Sequence, residues 1–176
     1  MGGLGAGTEM RSDLPVWVLC VCGLFGCSDG EPVQEEVGMT KKIMVSPLAG
    51  QWFADSERAL REEIAERTKG IMAVRGKNVC AAVVPHAGYR YSGRVAAGVF
   101  LRIDPKRFSR VVVMGPSHYV DMRNHVSVPD ATHFSTPLGE LKADTEFVAR
   151  MRKLPFVTHR PEAHVREHSD QIQLPL

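Results

Sequence analysis

The sequence predicts an α/β layer fold, with a largely parallel sheet flanked by helices. Three observations carry this expectation. Two apolar runs, NVCAAVV at 78–84 and RVVVMG at 110–115, are continuous rather than alternating, as in strands covered on both faces. The segments between and after them have helical periodicity. Strands therefore alternate with helices along the chain, the order that builds βα units.

The elements follow in sequence. IMVS at 43–46 is a short apolar run. Asp55 or Ser56 can cap a helix reaching about Thr68, ended by Gly70. Leu60 and Ile64 share one face of it, and Glu57–Arg61 and Glu63–Arg67 are i,i+4 pairs on solvated faces. The strand at 78–84 comes next. Ser92 is placed to cap a second helix whose Val95, Val99 and Ile103 form an inward stripe. The strand at 110–115 follows. Asp144 is placed to cap a third helix with Phe147, Val148, Met151 and Leu154 inward.

Composition excludes several classes of function. The 176 residues suit one domain, with 44% hydrophobic and 24% charged residues, ordinary for a soluble globular chain. Basic and acidic residues number 22 and 20, are mixed along the chain and leave a net charge of +2, so nucleic-acid binding has no electrostatic support. Cys20 and Cys22 have a C-x-C spacing with no second pair to complete a zinc site. Cys80 lies within an apolar strand and reads as a buried inert thiol, so no disulfide framework is expected.

The N-terminal region differs from the rest. LPVWVLCVCGLFG at 14–26 carries no charge but is too short for the ~30 Å hydrocarbon core of a bilayer. Its length suits the apolar region of a signal peptide. Leu24-Phe25-Gly26-Cys27, followed by polar residues, resembles a bacterial lipoprotein signal. That reading makes Cys27 a lipid anchor and the protein a component of the cell envelope. The alternative is translation from Met39 and a cytoplasmic protein. The chain therefore divides into a segment at 1–40 and a domain at 41–176.

Chemistry concentrates just past the two strands. In open α/β sheets ligands bind at the carboxyl ends of strands. His86 in PHAGYRYSG and His118 in GPSHY sit there, each shortly after a proline that stiffens the turn. Gly88, Gly93 and Gly115 allow close backbone approach at the same edge. In REHSDQIQLPL, Glu167 and His168 open an expected helix. There Glu167 either gains from the helix dipole or steers a histidine. Tyr89, Tyr91 and Ser117 are candidate ligand contacts, with packing as the alternative for the tyrosines. His125, His133, His159 and His164 read as surface or structural, although His164 and His168 would share a face if both were helical.

These motifs together resemble the Memo family, whose bacterial members are often called AmmeMemoRadiSam system protein B. The resemblance rests on LAGQWFADSERAL, PHAGYRYSG, VVVMGPSHY, TPLGELKAD and EHSDQIQLPL, in family order from about residue 45 to the last residue. It implies a fold related to the class III extradiol dioxygenases, which are non-haem iron enzymes. It also implies a metal ligand at His86. A second family histidine, found directly before Ala-Gly in animal members, is here Leu48, which cannot ligate. A third ligand lies in the C-terminal half of the family, whose pattern continues past Leu176, so the chain corresponds to the N-terminal two-thirds of a member. Gln171 stands where the family usually has glutamate, and Gln173 matches bacterial members.

Two functions follow from the resemblance. In the first, iron or copper binds at His86, His118 and ligands from the C-terminal half, with His168 and Glu167 in acid, base or supporting roles. This chain alone would hold the metal weakly or not at all. In the second, the same pocket binds a peptide or small anionic ligand without catalysis. The bacterial family name implies association with radical-SAM system proteins.

Overall fold

The computed structural model describes residues 19–22, 40–73 and 79–176. Its centre is a five-stranded mixed sheet in the order β2-β5-β6-β1-β3. The strands are β1 (Leu19–Cys22), β2 (Ile43–Val45), β3 (Val111–Val113), β5 (His133–Thr136) and β6 (Gly139–Ala143). A separate pair joins β4 (Val126–Ser127) to β7 (Val157–Thr158).

The sheet is not largely parallel. The β2–β5 and β4–β7 pairs are parallel, with Ile43 opposite His133 and Val126 opposite Val157. The β5–β6, β6–β1 and β1–β3 pairs are antiparallel. The physical reason is local for one of them. Two residues connect β5 to β6, and so short a link permits only an antiparallel hairpin. Thr136 Oγ1 accepts from Leu138 N and donates to Gly139 O, and Gly139 takes φ +122° where a side chain would strain the turn. β1 falls within the segment read from sequence as signal-like, and pairs with both β6 and β3. Cys27 and Met39, on which the lipoprotein and alternative-start readings turn, lie outside the described residues. No helix among the described residues is long and apolar enough to cross a membrane.

The first helix, α1 (Glu57–Thr68), forms where its capping residues place it. Ser56 Oγ accepts from Ala59 N, and the helix ends at Lys69 before Gly70 at φ +70°. Leu60 is wholly buried, and Ile64 packs on the same cluster. The Glu57–Arg61 pair is exposed and contributes little to stability. Glu63–Arg67 is more enclosed than a solvated face implies, and Glu63 Oε2 also accepts from Ala54 N.

Several sequence expectations fail in the middle of the chain. Among the described residues of the run at 78–84, Val79 to Val84 form no strand, and Val83 is 97% exposed. Cys80 is exposed rather than buried. A strand needs a neighbouring ladder as well as apolar side chains, and no described strand pairs with this run. β3 does form at the second apolar run, but as an edge strand with Val111 and Val112 exposed. The second helix, α2 (Tyr89–Phe100), starts three residues before Ser92, after Gly88. Ser92 Oγ instead donates back to Ala87 O. Its buried face is Tyr89, Gly93, Ala96 and Ala97, while Val95 is 62% exposed. The small residues win because they let α2 approach α1 closely, with a Cβ on Gly93 lying 3.4 Å from Arg67 Cγ.

The third helix, α3 (Thr145–Met151), is capped by Asp144, whose Oδ1 accepts from Phe147 N at 2.8 Å. Val148 is buried with Val128, and Phe147 and Met151 pack against them. Leu154 lies past the helix end and is exposed. The helix expected from Glu167 does not form either. The C-terminal stretch is irregular, with short 3-10 turns at Pro161–Ala163 and Gln171–Gln173. It is nevertheless buried at Glu167, Ser169, Asp170, Gln171, Ile172 and Gln173. Ile172 joins Leu48, Phe53, Leu60 and Tyr89 in the core that supports the site.

Candidate metal centre

Three loops meet beside that core. The first carries His86. Gln173 Nε2 donates to Pro85 O at 3.1 Å, Tyr89 N donates to Trp52 O at 2.9 Å, and Ser92 Oγ holds Ala87 O. The second loop leaves β3 and carries His118. Ser169 Oγ donates to Pro116 O at 2.8 Å, and Ser117 Oγ donates to Val120 O at 2.6 Å. The third is the segment at 167–170. It lies so near Gly115 that a Cβ there would sit 2.8 Å from Ser169 Cβ and closer still to its Oγ. Gly115 is glycine because only a bare backbone fits.

His86, His118 and His168 converge. One nitrogen from each lies within 4.8 Å of the others. The His118 and His168 rings stack at 4.3 Å, and His86 lies 5.3 Å from His118 and 5.6 Å from His168 between centroids. Trp52 covers His168 at 4.5 Å, and Tyr119 stands edge-on to it at 6.3 Å. Arg166 lies over the Tyr119 ring at 5.2 Å.

Glu167 is wholly buried beneath this cluster. Its Oε2 accepts from His118 N at 2.8 Å. Its Oε1 contacts His118 Nδ1 at 2.8 Å and accepts from His168 N at 2.9 Å and Ser169 N at 3.0 Å. His168 Nδ1 is 3.5 Å from the same oxygen but makes no hydrogen bond to it. Burial works to raise the Glu167 carboxyl, yet these donors hold it below its ordinary value. Burial lowers His86 and His168, the charge of His118 lowers them further, and Glu167 opposes the shift. His86 and His168 are thus biased toward the neutral imidazole, the form that ligates metal.

The donor set fits a transition metal. Imidazole suits zinc, copper, iron and nickel, and three imidazoles can form a centre with open positions. Among the described residues the donor atoms that converge are these three imidazoles and not a two-histidine-one-carboxylate set, and Glu167 is engaged instead with the His118 ring and with backbone N–H groups. Leu48, at the position of the further family histidine, is a core residue packed with Phe53 and Ile172.

The other expected residues have contacts of their own. Tyr89 is buried, and its hydroxyl donates to Ile172 O at 3.2 Å, a packing role. Tyr91 is exposed on α2. Ser117 shapes its own loop. His164 is buried 2.9 Å from Ser127 Oγ, apart from the cluster, and burial pushes it down to about 4. Sequence reasoning missed Trp52, Ser169 and Gln173. Trp52 and Ser169 stand inside motifs already singled out, LAGQWF and EHS, but only the fold shows what they touch.

Comparison with known proteins agrees with the motifs. The family model described as Memo-like protein matches residues 45–176. A MEMO1 family protein of Schizosaccharomyces pombe is 34% identical over 140 residues, covering 78% of this chain and 44% of that protein. One from Methanococcoides burtonii is 35% identical over 128 residues, covering 73% and 46%. One from Aquifex aeolicus is 38% identical over 95 residues, covering 54% and 34%. The chain spans under half the length of these relatives.

Proposed function

Because the chain belongs to the Memo family, we propose that it binds a divalent first-row transition metal, iron or copper, through His86, His118 and His168. The reading relates this centre to the non-haem iron dioxygenases. Its single strongest support is the approach of three imidazole nitrogens to within 4.8 Å. The sequence expectation of weak binding assumed two protein ligands, and the third imidazole raises it.

The bound metal would supply Lewis-acid and one-electron chemistry. The chain's own residues set the conditions. The Trp52 ring shields one side of His168 from water. Glu167 holds the loop of His118 against the segment of His168. Metal content after anaerobic incubation with ferrous or cupric ions and desalting tests the proposal. The expected result is near one metal per chain, lost in His86→Ala. A ratio near zero, or one unchanged by His86→Ala, overturns it.

A second reading is recognition of a small anionic ligand without turnover. Exposed Arg166, carried on Tyr119 beside His168, supports it, since a guanidinium on an aromatic face still offers its donors to a carboxylate or phosphate. Oxygen uptake with catechols and ferrous iron separates the readings: turnover favours the first, and ligand binding without uptake favours the second.

A further inference from the structure

One carboxylate treats two neighbouring histidines unequally. Glu167 grips His118 twice, by its backbone N–H and by its ring Nδ1, both at 2.8 Å. It grips His168 only by the backbone, leaving that ring's Nδ1 3.5 Å away and without a hydrogen bond. An ionised carboxylate can only accept, so the His118 nitrogen facing it must carry the hydrogen. No comparable contact selects a tautomer for His168 among the described residues.

We propose that Glu167 is a positioning residue that locks His118 as the Nδ1-protonated tautomer and so dedicates its Nε2 lone pair to the metal. His168 keeps both tautomers accessible. The inference rests on the metal reading for its purpose but not for its geometry. A carboxylate behind a ligating imidazole fixes ring orientation and raises its basicity, and its loss commonly weakens metal binding by about 10–100-fold. The alternative role, a purely structural clamp between two loops, would be met by the three backbone N–H bonds alone.

Long-range proton–nitrogen NMR of the metal-free wild-type chain tests this directly, with His118 and His168 signals assigned by their loss in His118→Asn and His168→Asn. The expected result is a single Nδ1–H tautomer at His118 and an averaged pattern at His168 at neutral pH. An Nε2–H or averaged pattern at His118 overturns the proposal whether or not metal binds. Cobalt titration of Glu167→Gln is the second test. If that variant keeps the wild-type circular dichroism spectrum, its cobalt affinity should fall about 10–100-fold with a changed ligand-field spectrum. Unchanged affinity and spectrum in the folded variant also overturn it. Failure of wild-type chain to bind any metal defeats the functional reading alone, because the tautomer result stands apart from it.

Discussion

The segment at 167–173 and the run at 79–84 invert the usual relation between polarity and burial. The first is rich in charged and amide side chains, yet Glu167, Asp170, Gln171 and Gln173 are buried. The second is almost entirely apolar, yet Val83 is nearly fully exposed. The difference lies in partners. Each polar group of the first segment that is hydrogen-bonded inside the fold recovers much of what it loses by leaving water, as Glu167 does with four donors. The apolar run has no ladder beside it among the described residues, and side-chain hydrophobicity cannot replace a missing backbone partner. Burial here does not follow hydropathy, and Gln171 Oε1 and Gln173 Oε1 are buried even without a hydrogen bond.

The sharpest way to break that comparison is Gly115→Ala. The added methyl displaces Ser169, which then loses Pro116 O, and separates the His118 loop from the buried polar segment. Urea unfolding should show a loss of about 3 kcal/mol, the upper end of overpacking costs, with metal loading reduced in parallel. A loss near zero would mean that the two loops are not packed as described.

His164 gives a pH-dependent effect. Its folded-state value near 4 lies below the ordinary 6.5, because burial disfavours the charged form. Between those values the unfolded chain binds more protons, so this group's contribution to stability is lost as pH falls from about 6.5 to 4. Asp170 is pushed up by burial to about 7 from 3.8, and acts in the opposite direction over nearly the same range. His164→Gln removes the first effect and leaves the second. The stability of the variant relative to wild type should therefore rise toward acid, by on the order of 3 kcal/mol between pH 7 and 4. Urea midpoints across that range check it, and a difference independent of pH would contradict the buried neutral imidazole.

Val83→Ser is the smallest effect and the sharpest control. A side chain in water should change stability by less than about 0.5 kcal/mol. A loss above 1 kcal/mol in the same urea assay would show that the run at 79–84 is covered in solution.

What could be read from sequence was local. Ser56, Gly70 and Asp144 mark helix ends because their own side chains or backbone angles do the capping. The start of α2 was not legible. Gly88 caps without a side-chain bond, and the next residue, Tyr89, donates to Trp52 O, a partner distant in sequence. Strand direction was not legible either, because β2 meets β5 across some ninety residues of chain, as the Lys42–Thr132 bond shows. At the site, His86, His118 and His168 stood out as residue types in motifs. Their convergence, the cover from Trp52 and the two-handed hold of Glu167 on His118 depend on three separate loops meeting.

That hold has a kinetic consequence. His118 and Glu167 are 49 residues apart, so the site exists only after a long loop has closed. Closure over such a separation carries an entropic penalty that nearby helical contacts escape, and distant contacts tend to form late. An early, helix-rich folding species would therefore show α1 and α2 before it could show a histidine cluster. In a stopped-flow experiment the appearance of a metal-dependent signal would act as a clock for the last stage of assembly rather than for collapse.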